Sequence, residues 1–227
     1  MSVSPSRVSA VLPAWKVRTR VTTPGVPALT LDEVKAHLRI TNNASDAYLT
    51  QLILVAQNLA EEYTGRYFTT TIVEGQADDP GTLQAWWDGV IQASGNALSA
   101  SPRIIEIPRP PLVSVQTFEY VGLDGVAYLV PATSYIVDIS SPDRIGRLAL
   151  KYFATTPTSP QEILALKLAY AAGYGAPADV PPMIKQGLLM LVSFLYDNRG
   201  ECADGGAGVI ALSGAQVFLD IVRLRRV

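Results

Sequence analysis

The chain has 227 residues, of which 48% are apolar and 17% charged, and its formal net charge is −2. These proportions are typical of a folded globular protein, and the small negative charge gives no overall attraction to nucleic acid or to an anionic membrane. One cysteine and one histidine exclude an internal disulfide and a cysteine-based zinc cluster, and they leave a metal site almost no ligands.

Neither a membrane span nor a secretory signal is expected. The longest nearly unbroken apolar run, Gly187 to Tyr196, is shorter than the ~20 residues that a span requires. The first seven residues lack the apolar core of a signal peptide. We therefore expect synthesis in the cytoplasm and no association with a membrane.

Residues 1–29 form an N-terminal segment rich in Ser, Pro, Val and Thr. Within it, Trp15 to Val21 alternates apolar with basic side chains, which predicts a strand with one solvated face. An edge strand with an exposed Lys/Arg face is one interpretation. An arm that becomes ordered on a partner is the other.

A helical hairpin follows, and it carries the clearest local signals in the chain. Thr30 and Glu33 have the spacing of a capping box, in which each residue bonds the backbone N–H of the other. A second helix begins near Ser45 and Asp46 and ends at Gly65, a residue that adopts a left-handed conformation cheaply. Its predicted buried positions are Leu49, Leu52, Ile53, Ala56, Leu59, Ala60 and Tyr63. The pair has too little apolar surface to be a domain alone and needs a partner.

Residues 69–175 change to a period of two and predict an antiparallel β unit of five to seven strands. A first strand is predicted from Phe68 to Val73, and a long loop over 75–101. Prolines mark the segment 108–111 as a stiff link between strands, and Asp124-Gly125 is typical of a hairpin turn. Trp86 and Trp87 lie in the long loop, as cover for a sheet face or as an exposed contact for another subunit.

The C-terminal part begins with a helix predicted from Pro181-Pro182 to Asn198. It is apolar over most of its circumference, so it is buried on several sides, and the hairpin is its obvious cover. We predict one helical bundle from residues 30–68 and 176–200. Residues 201–227 then provide a flexible glycine-rich link and an amphipathic segment, Ala215 to Val227. The expected fold class is α+β, a helical bundle with an inserted antiparallel β unit and a C-terminal docking helix.

The sequence shows no local constellation for catalysis. His37 has no second histidine or nucleophile beside it, and it is interpreted as a surface helix residue. Adjacent carboxylates in a Gly/Pro context, as at Asp78 and Asp79, are usually solvated turn residues. The glycines at 205, 206 and 208 lack the spacing of a dinucleotide or phosphate loop.

The order of these segments resembles the head-tail connector (neck adaptor) proteins of long-tailed double-stranded-DNA phages and gene-transfer particles. The resemblance runs from Leu31 to about Arg199, and the segments before Thr30 and after Gly200 depart from the family. The motifs that carry it are Leu31 to Arg39, Asp46 to Leu49, Ala60 to Arg66, Pro108 to Val115, Ala172 to Gly175, Val180 to Pro182 and Tyr196 to Arg199.

The resemblance implies a structural, non-enzymatic subunit without cofactor or metal. Such subunits form a ring, usually of twelve copies, between the portal protein and the next neck component, a stopper or tail-terminator protein. Genomic DNA passes through the lumen without specific binding. The implied location is the neck of the virion, assembled in the cytoplasm of the bacterial host.

Two sets of interaction residues follow as expectations. For docking to the portal we select Phe218, Ile221, Val222, Arg223, Arg225 and Arg226. For the subunit interface we select Tyr48, Val55, Trp86 and Trp87. Three alternatives stay open: the last segment packs on its own domain as a terminal helix, or the protein is a hydrolase with a carboxylate site on the β unit, or it is a small β-rich binding module for host or tail factors.

Overall fold

The computed structural model describes residues 17–77, 104–139, 145–151, 161, 163–199 and 205–224. Within these ranges the chain has five α-helices and eight β-strands, so the predicted α+β class is confirmed. The helices are α1 (Leu31–Leu38), α2 (Asp46–Thr64), α3 (Pro182–Asp197), α4 (Gly205–Leu212) and α5 (Gln216–Val222). The strands are β1 (Arg18–Thr23), β2 (Thr71–Ala77), β3 (Ile104–Ile107), β4 (Leu112–Val121), β5 (Ala127–Leu129), β6 (Tyr135–Asp138), β7 (Gly146–Leu150) and β8 (Leu166–Ala172).

The helix boundaries follow the capping signals in the sequence. The Glu33 N–H donates to Thr30 Oγ1 at 3.2 Å, and the Thr30 N–H donates to Glu33 Oε2 at 2.7 Å, which completes the capping box. The bond from the Thr30 backbone holds the pKa of the Glu33 carboxyl below its ordinary value. At the other end of the hairpin, Gly65 has φ +70° and its N–H donates to the Glu61 carbonyl at 2.9 Å.

The hairpin and α3 share one apolar core, which is the arrangement that their matching apolar faces predict. The fully buried side chains include Val34 of α1, Leu49 of α2 and Leu191 of α3. Of the predicted α2 core positions, Leu59 and Tyr63 are only partly buried. The helix also buries polar side chains that the apolar pattern did not indicate, namely Gln57, Glu61 and Thr64.

The β unit consists of two antiparallel sheets with a common core. The larger sheet has the strand order β1-β2-β8-β4-β5, and the smaller has the order β3-β7-β6. Phe118 and Tyr170 from the larger sheet pack in one buried cluster with Leu148 from the smaller. The predicted proline link, residues 108–111, carries the chain from β3 in one sheet to β4 in the other.

Strands β1 and β2 differ in extent from the strands that the sequence predicts. Strand β1 pairs with β2 and lies at the edge of the larger sheet. Strand β2 begins three residues later than predicted and continues through Gly75 to Ala77, where a loop was expected. Glycine is favoured there by space, because a Cβ at Gly75 would lie 2.7 Å from Val17 Cγ1.

The predicted flexible link is wrong in its second half, because residues Gly205–Leu212 form a helix. Glycine disfavours a helix by up to about 1 kcal/mol per residue relative to alanine. Here burial offsets that cost: Ile210 of α4 is 1% exposed within the bundle core. Gly206 also lies close to α2, because a Cβ added at this position would be 3.0 Å from Leu59 Cδ2.

The bundle joins the larger sheet at one end. Strand β8 ends at Ala172, beside the first residue of β2, and the next residue, Gly173, has φ +130°. A Cβ at Gly173 would lie 2.2 Å from the Thr69 carbonyl oxygen, so glycine allows the two segments to approach. The β4–β5 turn lies at the opposite end, roughly 20 Å away along β8 at ~3.3 Å per residue.

Polar side chains also cross this junction. Arg109 in the proline link forms an ion pair with Glu62 of α2, and its guanidinium lies 5.1 Å from the centre of the Tyr67 ring. The buried Glu61 Oε1 accepts from the Phe68 N–H at 3.1 Å and from Gln57 Nε2 at 2.9 Å. Burial raises the pKa of the Glu61 carboxyl above its ordinary value, and these bonds offset part of that rise.

Candidate interaction surfaces

The described part of the chain contains no group of three or more His, Cys, Asp or Glu side chains placed to hold a metal ion. His37 is exposed on α1, as expected of a surface helix residue. Asp78 and Asp79, on which a carboxylate site would depend, lie outside the described residues. Among the described helices, none combines the length and the apolar character of a membrane span.

The C-terminal helix α5 packs on the bundle. Ala215 and Leu219 are fully buried in the bundle core. Close approach to α3 depends on Gly187, because a Cβ at that position would lie 3.3 Å from Leu219 Cδ2 and 3.4 Å from Phe218 Cβ. The helix fills a gap that the glycine leaves between larger side chains of α3.

Polar contacts tie the same segment to the end of α2. The Tyr63 hydroxyl donates to Asp220 Oδ1 at 2.6 Å, and the Arg223 guanidinium lies 4.4 Å from the centre of the Tyr63 ring. The Leu224 N–H donates to the Thr64 carbonyl at 2.9 Å, and Arg66 Nε donates to the Val222 carbonyl. Burial, followed by the neighbouring Asp220, raises the pKa of the Tyr63 hydroxyl. In the isolated chain the segment therefore occupies the position of a terminal helix.

The packing of α5 partly buries some of the residues selected for portal docking and leaves others exposed. Phe218 and Val222 are half-buried on the bundle side, whereas Ile221 is 65% exposed and Arg223 is exposed. Arg225 and Arg226 lie outside the described residues. The exposed apolar face of α5 consists of Ile221 and Val217, one turn apart, and Val217 is 70% exposed. The sequence did not single out Val217, because an amphipathic pattern does not say which side of a short helix meets the core.

A second exposed apolar face lies on α2. Leu54 and Val55 are 47% and 46% exposed, and the exposed polar residues Gln51 and Asn58 lie one turn away on either side. An apolar centre with a polar rim is typical of protein–protein contacts. Tyr48 lies two turns before Val55 on the same side of the helix, roughly 10 Å away. Two of the four predicted interface residues therefore share one surface, and Trp86 and Trp87 lie outside the described residues.

Tyr48 belongs to an aromatic cluster that the sequence reasoning missed. Its ring centre lies 6.2 Å from that of Tyr196 at the end of α3. The Arg199 guanidinium lies 4.8 Å from the Tyr48 centre and 4.3 Å from the Tyr196 centre, a cation–π arrangement. Arg199 lies just after the end of α3, where its Nε donates to the Tyr196 carbonyl at 3.1 Å. The cluster links α3 to the exposed face of α2.

Residues 28–93 match the family of phage gp6-like head-tail connector proteins. This range includes α1, α2 and β2, and it confirms the resemblance to head-tail connectors that the sequence motifs indicated. No curated protein sequence matches the chain.

Solved structures match over nearly the whole fold. A chain in the neck of an empty gene transfer agent (GTA) particle, computed with C6 symmetry, has a TM-score of 0.67 at 19% identity, covering 92% of this chain and 97% of that one. A chain in the virion of the native GTA particle has a TM-score of 0.66 at 20% identity, covering 92% and 96%. A chain in the neck of the native particle, computed with C12 symmetry, has a TM-score of 0.60 at 19% identity, covering 93% and 96%.

These descriptions name structural parts of particles, and none of them names an enzymatic activity. At about 20% identity the structural likeness establishes the fold. The α+β arrangement of bundle and β unit is therefore the fold of these neck chains.

Proposed function

We propose, from the match to the head-tail connector family, that this chain is a structural subunit of the neck that joins a DNA-filled head to its tail. The observation that carries the proposal is the likeness to chains of two GTA necks, which extends over 92–93% of this chain and 96–97% of theirs. The family match over residues 28–93 supports it independently, from the sequence. In this role the protein is not an enzyme, and it needs no cofactor.

The subunits assemble into a closed ring, with twelve copies as the proposed number. Support comes from the C12 symmetry used for one of the similar necks, and C6 symmetry for another also indicates a cyclic assembly. A ring needs two different complementary patches on each subunit, because its contacts run head to tail. We assign one patch to the face of α2 that carries Tyr48, Leu54 and Val55. Its exposed apolar centre gives it the composition of a contact surface.

The portal protein binds at the bundle end, through the C-terminal segment. Val217, Ile221 and Arg223 are exposed in the packed position of α5, which supports them as the proposed contacts. Phe218 and Val222 take part only if the segment leaves the bundle, which would expose the fully buried Leu219. Arg225 and Arg226 follow directly in the sequence and would add positive charge, which favours an acidic partner surface.

The other side of the ring faces a stopper or tail-terminator protein, and genomic DNA passes through the lumen. A chain of formal net charge −2 supports passage without specific binding, because DNA affinity is dominated by cationic contacts to phosphate. The proposed location is the virion neck, with assembly in the cytoplasm of the bacterial host.

Electron microscopy of the purified chain mixed with the portal protein of the same particle tests the proposal. A ring seated on the portal is expected, and failure to bind the portal would contradict the connector role. The variant Ile221→Asp is expected to fold and to lose portal binding. Ile136→Asp is its matched control, since Ile136 is 58% exposed on strand β6 of the smaller sheet. Equal portal binding by the two variants would reject docking through α5 without rejecting the ring.

The assigned ring contact has its own test. Val55→Asp places a charge at the apolar centre of the α2 face, so it is expected to prevent ring closure on the portal while the free subunit stays folded. Analytical ultracentrifugation and circular dichroism of the free chain check the second part. Rings of unchanged copy number with Val55→Asp would show that the subunit contact lies elsewhere.

A further inference from the structure

The β4–β5 turn carries exposed apolar side chains at the end of the molecule opposite the bundle. Leu123 is 72% exposed and Val126 is 51% exposed. Ile163, 67% exposed, belongs to the loop that runs beside this turn. Two hydrogen bonds place that loop: the Gln161 N–H donates to the Val121 carbonyl at 3.0 Å, and the Val121 N–H donates to the Ala165 carbonyl at 2.8 Å. We call Leu123, Val126 and Ile163 the tip patch.

The fold of the turn does not require these apolar residues. The turn is closed by Gly125, with φ +77°, whose N–H donates to the Gly122 carbonyl at 2.9 Å. Asp124 fixes it further, because its carboxylate accepts from the Val126 N–H at 3.0 Å and from the Tyr128 hydroxyl at 2.7 Å. Leu123 is not among these hydrogen-bonding groups, and hairpin turns are usually polar. A leucine that is 72% exposed in this turn is therefore explained better by contact than by folding.

The same hydrogen bonds make the tip suitable for docking. Three of them hold the backbone and the Asp124 and Tyr128 side chains around Leu123. A surface that is ordered before binding loses less conformational entropy when a partner binds. The tip therefore presents its apolar side chains in a fixed arrangement.

The size of the patch indicates what occupies it. Fully burying a Leu, Ile or Val side chain gains about 1.5–3 kcal/mol at roughly 25 cal/mol per Å² of apolar surface. On this scale the exposed parts of the three side chains amount to roughly 150–250 Å². A stable interface buries about 800 Å² on each partner, so one tip is too small to hold a second copy of the free chain. A partner that engages many tips at once would gain affinity from multivalency. The small area thus fits a partner that is itself a ring.

We infer that the tip patch is the docking surface for the ring-shaped neck protein on the side of the connector that faces away from the portal, and that Leu123 enters an apolar groove on that protein. The inference rests on the proposed function. It extends that function because the tip lies at the end of the β unit opposite the junction with the bundle, so the two docking surfaces of one subunit are separated along β8.

The test uses connector rings assembled on the purified portal, with the purified stopper or tail-terminator protein of the same particle as the probe. Leu123→Asp is expected to form rings on the portal with the wild-type copy number and to lose at least about tenfold in affinity for the probe. Ile136→Asp is the matched control, expected to bind the probe as the wild type does. Unchanged thermal unfolding is expected for both variants, because both side chains are exposed.

Hydrogen exchange provides a second measurement on the wild-type complex. Addition of the probe is expected to slow exchange in residues 121–129. Equal probe binding by Leu123→Asp and Ile136→Asp, or unchanged exchange at the turn, would overturn the inference. Loss of the portal ring by a folded Leu123→Asp variant would also overturn it, by placing the tip at the portal or between subunits. Failure of the wild type to form a ring on the portal would instead reject the proposed function, and the inference with it.

Discussion

The packing of α5 on the bundle leads to a quantitative prediction for Leu219→Ala. Leu219 is fully buried, and the backbone of Gly187 lies directly beneath its side chain. The substitution removes three carbon atoms, which at ~0.8 kcal/mol each gives about 2.4 kcal/mol of lost transfer free energy. Incomplete collapse of the cavity adds to this, so we expect a loss of about 3 kcal/mol, within the range known for buried leucines.

Thermal unfolding monitored by circular dichroism measures this loss. For a chain of this length, about 3 kcal/mol corresponds to a decrease in Tm of roughly 6–12 °C. Val217→Ala is the matched control on the same helix, and because Val217 is 70% exposed its effect should stay within about 0.5 kcal/mol. Equal Tm values for the two variants would refute the reasoning, since they would mean that α5 spends little time on the bundle in solution.

Three further predictions concern the bundle and its junction with the sheet. Because burial raises the pKa of Glu61, the folded state holds this proton to higher pH than the unfolded state does, so the contribution of Glu61 to stability should fall as pH rises above the ordinary glutamate pKa of about 4.3. Urea titrations at several pH values should therefore show that Glu61→Gln lacks this contribution to the pH dependence. Thr30→Ala removes the capping box and should cost about 1 kcal/mol by the same titrations. Gly173→Ala should prevent folding or cost well over 3 kcal/mol, because its Cβ would collide with the Thr69 carbonyl, whereas Gly125→Ala, with φ +77° and open space around it, should cost about 1 kcal/mol by thermal unfolding.

Some of the exposed surface residues were indicated by the sequence, and others were not. Val55 and Tyr48 were selected from the sequence and lie on one side of α2, where Val55 is exposed and Tyr48 is partly buried. Leu123 was recognised only as part of a hairpin turn, and its importance depends on Ile163, forty residues away in sequence. No local pattern brings these two residues together, because hydrogen bonds between Val121 and the loop before β8 do so.

The sequence alone determined those features that depend on residues close together in the chain. Three such features depend on backbone conformation and hydrogen bonds within a few residues. They are the capping box of Thr30 and Glu33, the helix end at Gly65 and the hairpin turn at Gly125. The apolar periods likewise separated helices from strands, and the order of motifs indicated the connector family.

Only the tertiary structure decided the features that depend on distant contacts. Residues Gly205–Leu212 are helical because Ile210 enters the bundle core, although the glycines predict a flexible link. Strand β2 continues through Gly75 because the partner strand β8 provides pairing that the local sequence does not indicate. The rotation of α5, which buries Leu219 and exposes Ile221, is determined by the space above Gly187. In each case the free energy of packing between segments far apart in sequence exceeds the local preference of the chain.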